Sequence, residues 1–132
     1  MTIIQNLPKE GQKPKQKQYD LEERTLQFAK QVFEFVNKLP KTLTTIEISK
    51  QVVRSAGSVG ANYIEANEAV SRKDFVLRIK ICRKEAKETR YWLMLLECSE
   101  ELKSAKEKLI QEATELMRIF GAILEKCKEY IK

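Results

Sequence analysis

Residues 71–98, SRKDFVLRIKICRKEAKETRYWLMLLEC, contain the pattern that decides the fold. Mainly apolar side chains recur there at steps of three and four residues, and they are Phe75, Ile79, Cys82, Ala86, Thr89, Leu93 and Leu96. Such steps place side chains on one face of an α-helix. Ser71 is a candidate N-cap, with Asp74 at the capping-box position. The segment therefore predicts a helix over residues 71–98 with one face in a hydrophobic core.

The same periodicity predicts three more helices. They cover residues 20–38, 44–70 and 104–132. The candidate N-caps are Asp20, then Thr44 or Thr45, and then Ser104. Leu39-Pro40 ends the first of these helices because a residue before proline avoids the helical region.

The composition agrees with an all-α domain. The chain has 132 residues, of which four are Gly and three are Pro, and an all-β fold would need many more turn residues. Four helices with short connections predict an antiparallel, up-down four-helix bundle over residues 19–132. Residues 1–18, which contain four Lys and one Glu, are expected to form a flexible basic tail.

Several function classes are excluded by residues that the sequence lacks. There is no His, so Ser-His-Asp and Cys-His catalysis and His metal ligands are excluded. The three Cys residues are isolated, and we expect Cys82, Cys98 and Cys127 to be buried free thiols. The N-terminus lacks the apolar segment of a secretory signal, and no apolar run is long enough to span a membrane. The expected location is the cytoplasm.

Two glycines interrupt the predicted helix over residues 44–70. Gly57 and Gly60 each cost about 1 kcal/mol relative to Ala in a helix interior. Their proximity indicates that another backbone or helix approaches closely, and a kink or a break in the helix is the alternative.

The predicted helix over residues 71–98 is apolar on a second side. Opposite or beside the core stripe lie five residues, which we interpret as an oligomer interface: Leu77, Ile81, Tyr91, Trp92 and Leu95. A bundle helix normally keeps a polar back, so such a patch marks an interface. The prediction is a homo-oligomer in which this patch lies between subunits, and the alternative is that the N-terminal tail covers it. The helix over residues 44–70 has a weaker second stripe: Val53, Gly57, Gly60 and Ile64.

Basic residues concentrate on the same helix. The chain has a formal net charge of +6, and residues 72–90 contain eight Lys or Arg against three acidic residues. The candidate contacts to nucleic acid or another anion are Lys73, Lys80, Arg83, Lys84 and Lys87. Repeated around an oligomer, these side chains would release counterions from RNA. The alternative is a solvated face that neighbouring helices neutralise.

Paired carboxylates raise an enzyme hypothesis. Glu65 with Glu68, and Glu85 with Glu88, form two ExxE units on consecutive helices, and carboxylates spaced in this way can hold Mg²⁺. The spacing resembles that of all-α nucleotide pyrophosphohydrolases of the MazG type. All four carboxylates, however, are expected to lie away from the core stripes, with basic residues nearby to pair with them. We therefore expect no enzyme activity, no metal and no cofactor.

A polar series follows one face of the helix over residues 44–70. It consists of Arg54, Ser58, Asn62 and Glu65. Arg54 and Glu65 are about three turns apart and cannot pair with each other. We predict a structural polar network, made either across to another helix or between subunits.

The region around residues 51–97 resembles the 23S rRNA-intervening sequence protein family, also described simply as four-helix-bundle proteins. The matching features are Arg54-Ser55-Ala56, Ser58-Val59-Gly60-Ala61-Asn62, Glu65-Ala66, Ser71, Lys73-Asp74-Phe75, Glu85-Ala86, Glu88 and Trp92. Phe28-Ala29 and Leu39-Pro40 fit the first helix of the family.

The resemblance implies a bacterial, antiparallel four-helix bundle that assembles into a ring-like homopentamer and has no enzymatic activity. A related branch is the accessory variability determinant of diversity-generating retroelements, a basic pentameric barrel that binds reverse transcriptase and nucleic acid. The present chain departs from that branch because its net charge is only +6.

The sequence therefore predicts a non-enzymatic, homo-oligomeric binding or scaffold protein. Its expected partners are other copies of itself and RNA or an RNA-binding protein, with no membrane. The alternatives are an adaptor that binds only proteins and a Mg²⁺-dependent pyrophosphohydrolase.

Overall fold

The computed structural model describes residues 20–131, with side chains through residue 128. These residues form four α-helices: α1 (Leu21–Asn37), α2 (Leu43–Asn67), α3 (Arg72–Leu95) and α4 (Glu100–Ile131). Residues 20–131 contain no strand, so the all-α, four-helix prediction is confirmed. The predicted tail over residues 1–18 lies outside the described residues.

Two of the predicted N-caps are confirmed. Asp20 accepts a hydrogen bond from the Glu23 backbone N–H, and Ser71 accepts one from the Asp74 N–H. The cap of α2 is Thr42 rather than Thr44 or Thr45. At both confirmed starts an acidic residue follows the cap by three positions.

The predicted start of α4 at Ser104 is wrong. The helix begins at Glu100, which places Ser104 inside it. Glu100 and Glu101 occupy the first turn, where carboxylates are favourable beside unpaired backbone N–H groups. Residues 100–103 therefore form the first turn of α4 rather than a loop.

The ends of α2 and α3 also come earlier than predicted. Helix α2 ends at Asn67 instead of residue 70, so Val70 falls in the connection to α3. Its side chain is 91% exposed and is not part of the core. Helix α3 ends at Leu95 instead of residue 98.

The core contains every residue of the predicted α3 stripe. All seven of these side chains are at most 1% exposed. The one hydroxyl among them, on Thr89, donates to Ser55 Oγ on α2 at 2.8 Å, and Ser55 Oγ donates to the Val52 carbonyl at 3.3 Å. The two buried hydroxyls between α2 and α3 are thus hydrogen-bonded, as burial requires.

Consecutive helices pack against one another, and α1 also contacts α4. Arg24 on α1 donates to both carboxylate oxygens of Glu112 on α4, at 2.6 and 2.9 Å. This bidentate pair fixes α1 against α4, and the hydrogen bond raises the pKa of the Arg24 guanidinium.

The two glycines of α2 have different surroundings. A Cβ atom built on Gly60 would lie 2.8 Å from Thr25 Oγ1 on α1, so the predicted close approach of another helix is confirmed there. A Cβ built on Gly57 would meet no atom of the described residues within 4 Å. The alternative of a break is wrong, because α2 is continuous through both positions.

The three cysteines are free, but they are not equally buried. Cys82 and Cys127 are buried, whereas Cys98 is half-buried. The prediction is therefore wrong for Cys98, because α3 ends before this residue and leaves it in the connection to α4. Among the described residues, no helix is long and apolar enough to cross a membrane.

Candidate interaction surface on the third helix

The outward side of α3 faces away from the core. One of its edges contacts α2 and the other contacts α4. Glu88 and Arg78 contact α2, through Arg54 at 2.9 Å and Asn62 at 2.8 Å. The opposite edge of α3 contacts α4. There Arg90 donates to Thr114 at 3.2 Å, and the Arg83 guanidinium lies 3.5 Å from the position of a Cβ on Gly121.

The residues predicted as an oligomer interface lie on this outward side. We call them the apolar patch: Leu77, Ile81, Tyr91, Trp92 and Leu95. Leu77 is 55% exposed and Leu95 is 44% exposed. Ile81 and Trp92 are half-buried, and Tyr91 is exposed with its ring against Trp92 at a centroid distance of 5.2 Å. The patch is therefore accessible in the single chain, apart from the inner part of Trp92.

Two details of this surface were not found from the sequence. Met94 is also exposed and enlarges the apolar patch. Its position one helical turn after Tyr91 could have indicated this from the sequence. Trp92 packs against the core, and its indole nitrogen is buried without a hydrogen-bond acceptor among the described residues. An unsatisfied buried N–H is costly and calls for an acceptor.

The five predicted anion contacts are all exposed. We call them the cationic patch: Lys73, Lys80, Arg83, Lys84 and Lys87. Lys84 Nζ lies 3.9 Å from Glu85 Oε2. Among the described side chains, the other four have no acidic partner within ion-pair distance. These four charges are therefore available to an external anion.

Glu85 contradicts its predicted position away from the core. It is only 6% exposed, because it lies where α2 packs on α3, beneath Arg54. Arg54 Nη2 is 2.9 Å from Glu88 Oε1 and 3.6 Å from Glu85 Oε1. Glu85 Oε1 accepts no hydrogen bond from the described residues. The Arg54 guanidinium thus lies near both carboxylates and is closer to Glu88, the more exposed of the two, than to Glu85.

The predicted polar network is divided into two parts. Asn62 Nδ2 donates to Ser58 Oγ at 3.0 Å, and Asn62 Oδ1 accepts from Arg78 on α3. Arg54 bonds separately to α3. Glu65 is exposed and belongs to neither part. The contacts of Arg54 and Asn62 cross to another helix of the same chain.

The carboxylates of the two ExxE units do not assemble into a metal centre within the described part of the chain. In residues 20–131 there is no group of three or more Asp, Glu, Cys or His side chains that could hold a metal ion. Glu65 and Glu68 are exposed on α2, whereas Glu85 and Glu88 are engaged by Arg54.

A groove between the end of α1 and the start of α2 was not found from the sequence. Its volume is about 320 Å³. The lining is mainly apolar with two lysines, and includes Val36, Leu39, Ile46, Val53, Lys41 and Lys50. Ile46 and Val53 lie seven residues apart on one face of α2 and are exposed, and this spacing could have indicated an apolar surface there.

These features define a class of protein: a small all-α four-helix bundle whose outward helix face combines an apolar patch with a cationic one. The chain belongs to the 23S rRNA-intervening sequence protein family, whose family model matches residues 17–122. The predicted family is thereby confirmed.

A solved structure supports the same assignment. It is a protein of unknown function from the S23 ribosomal protein family of Bacteroides thetaiotaomicron. The two chains are 34% identical, with a TM-score of 0.70, and the match covers 80% of the present chain and 95% of the other. None of the curated proteins matches the sequence.

Proposed function

We propose that this protein is a non-enzymatic, homo-oligomeric scaffold that contacts RNA or a ribonucleoprotein. The observation that carries the proposal is the division of the outward side of α3. Ile81 and Leu95 lie seven residues before and after Glu88, so they share its edge of α3, which contacts α2. Lys80, Arg83 and Lys87 follow the opposite edge, where Arg83 lies over α4. Lys84 lies between the two edges, seven residues from both Leu77 and Tyr91. The apolar edge and the three cations of the α4 edge can therefore serve different partners.

The bundle is inferred to be antiparallel and up-down. On α2 and α3, Arg54 pairs with Glu88 whereas Asn62 pairs with Arg78, so residue numbers rise on one helix and fall on the other. The contacts between α3 and α4 also indicate antiparallel helices, since Arg83 contacts Gly121 and Arg90 contacts Thr114. In this arrangement α3 presents its whole length to a partner.

Self-association is supported by the exposure of the apolar patch. Leu77 and Leu95 are large, apolar and about half exposed, and contiguous patches of this kind mark interfaces. The resemblance to ring-forming relatives makes a pentamer the expected state. An aspartate placed in a buried interface is costly, so Leu77→Asp with Leu95→Asp should give a monomer.

Light-scattering mass on a sizing column tests the assembly. The unmodified chain should elute as an oligomer, and the double variant at 15.4 kDa. Val70→Asp is the matched control, because Val70 is apolar and exposed but lies outside α3. An unchanged oligomer mass in the double variant would contradict the proposed interface.

RNA contact is supported by the four cations without acidic partners in the described residues. We expect the triple variant Lys80→Gln, Arg83→Gln, Lys87→Gln to remain assembled and to bind single-stranded RNA more weakly. Each lost phosphate contact should flatten the slope of log K against log salt by about 0.7. The control removes three charges elsewhere, through Lys30→Gln, Lys38→Gln and Lys126→Gln.

The RNA experiment also separates the two non-enzymatic functions. If the α3 triple variant and the control lose the same affinity, the cationic patch is not the RNA site. If the unmodified oligomer binds no RNA, the function is that of a protein-binding adaptor, for which the exposed Tyr91 and Met94 are suitable contacts.

A further inference from the structure

We propose that the apolar patch of one copy docks on the outward face of α2 in the next copy, beside the groove between α1 and α2. The contact is therefore heterologous: two different surfaces of the chain meet. This inference rests on the self-association proposed above and names the surface that receives α3.

The receiving surface on α2 matches the apolar patch in length. Ile46, Val53 and Ile64 are large apolar residues on one side of α2, each between a third and a half exposed. Ile46 and Ile64 are 18 residues apart, as are Leu77 and Leu95, so each surface extends about 27 Å. Near Ile46 the surface continues into the 320 Å³ groove.

Gly57 lies in the middle of this surface, and no neighbour within residues 20–128 explains it. Gly60 is required by the close approach of Thr25, but a Cβ on Gly57 would meet nothing within 4 Å. A glycine inside a helix costs about 1 kcal/mol relative to Ala. A helix of a second copy, lying against α2 at Gly57, would use the space that the missing side chain leaves.

Charges at the two ends of each surface are complementary when the helices run in opposite directions. The Ile46 end of the α2 surface carries Lys41 and Lys50, which line the groove. Lys50 pairs with Glu47 at 3.4 Å, so Lys41 supplies the net positive charge at this end. The Leu95 end of the patch is followed by the exposed Glu97, and this arrangement places Lys41 opposite a carboxylate.

The other ends have the reverse charges. Ile64 is followed one turn later by the exposed Glu68, and Leu77 is preceded one turn earlier by the exposed Lys73. In the antiparallel alignment Lys41 faces Glu97 and Glu68 faces Lys73, which favours this orientation. Lys73 is thus used within the contact, and Lys84 lies beside it. The three cations that the RNA experiment changes, Lys80, Arg83 and Lys87, remain outside the contact on the edge that faces α4.

A heterologous contact has a consequence that a self-complementary one lacks. Each copy has one donor surface and one receiver surface, so every added copy leaves one of each open until the ring closes. Two variants, each with a different surface disabled, must therefore complement each other and stop at a pair.

The experiment uses two double variants of the full chain. Leu77→Asp with Leu95→Asp disables the patch and keeps the receiver, whereas Ile46→Asp with Val53→Asp disables the receiver and keeps the patch. Each alone should have the monomer mass of 15.4 kDa. Mixed in equal amounts they should form a complex of two chains, about 31 kDa, and circular dichroism verifies that each is folded.

Three outcomes would overturn the inference. If the Ile46/Val53 variant assembles normally while the Leu77/Leu95 variant is monomeric, self-association stands but α2 is not the receiver. If both are monomeric and the mixture stays monomeric, α3 does not dock on α2. If both assemble normally, the self-association interface proposed above fails as well.

Gly57 supplies a variant that adds no charge. Because no atom lies within 4 Å of a Cβ there, Gly57→Leu should keep the chain folded and still prevent assembly by filling the contact. Gly57→Ala is the matched control and should assemble at least tenfold more tightly than Gly57→Leu. Normal assembly of Gly57→Leu would contradict the placement of α3 across Gly57.

Discussion

The inward and outward sides of α3 are both apolar, yet only one is buried. Phe75 and Ile79 on the inward side are fully buried, whereas Leu77, which lies between them in sequence, is more than half exposed. Within the chain, α2 and α4 cover the inward side of α3 and leave the outward side open. The difference shows that periodicity identifies apolar faces, but packing decides which of them the chain itself covers.

The largest expected difference comes from truncating one residue on each side of α3. Phe75→Ala should lower the free energy of unfolding by about 3–5 kcal/mol, because it opens a cavity in a fully buried site. Leu77→Ala should change the free energy of unfolding by less than about 0.5 kcal/mol. Both truncations are made in the Ile46→Asp/Val53→Asp variant, which is expected to be monomeric. Urea denaturation measures both, and equal losses would contradict the distinction between the two sides.

A second comparison concerns the two carboxylates that share Arg54. Glu88→Gln should cost less than about 1 kcal/mol, because both partners are partly exposed and screened by solvent. Arg54→Met should cost more, about 1–3 kcal/mol, because it leaves the buried Glu85 without its arginine. Adding Glu85→Gln to Arg54→Met should recover part of the loss. If Arg54→Met lowers the free energy of unfolding no more than Glu88→Gln does, then Arg54 does not stabilise the buried Glu85.

The two glycines of α2 give a third, smaller comparison. Gly60→Ala should destabilise the fold, since its Cβ would come within 2.8 Å of Thr25 Oγ1. Gly57→Ala should stabilise the monomeric Leu77/Leu95 variant by about 1 kcal/mol, because nothing opposes the added methyl group. Thermal unfolding of both substitutions in that background measures the difference. Changes of the same sign would contradict the surroundings described for these two sites.

The smallest expected effect is a decline in stability at alkaline pH. Burial raises the pKa of the Cys82 thiol to about 12 and the pKa of the Tyr63 hydroxyl to about 12. The unfolded chain releases the thiol proton from about pH 9, whereas the folded chain keeps it, so the free energy of unfolding falls as pH rises past that point. At pH 9 the loss should be less than about 0.5 kcal/mol.

Urea midpoints at pH 7.5 and pH 9 test this direction. Cys82→Ala is the control that lacks the Cys82 contribution and keeps that of Cys127, whose pKa burial also raises. A midpoint that rises with pH in the unmodified chain, or the same fall in Cys82→Ala, would show that the thiol does not carry the effect.

Much of the fold could be predicted because it depends on local patterns. The α3 core stripe and the caps Asp20 and Ser71 follow from spacing alone. The start of α4 could not, because Ser104 has a capping-box pattern that is overridden by good helix-forming residues before it.

The interaction surface was only partly predictable, for a different reason. The exposed leucines and lysines of α3 follow from periodicity. The burial of Glu85 under Arg54, the position of Arg83 over Gly121 and the groove between α1 and α2 depend on how neighbouring helices meet. A single sequence contains no direct record of such contacts between helices.

The contact between Gly60 and Thr25 also bears on how this family can evolve. Since the hydroxyl of Thr25 occupies the space that a side chain at residue 60 would need, the two positions cannot change independently. Homologues with Ala or Ser at residue 60 should have Gly or Ala at residue 25. Substitutions at the pair should therefore appear together across lineages, whereas residue 57 should vary with the surface of whatever packs on α2.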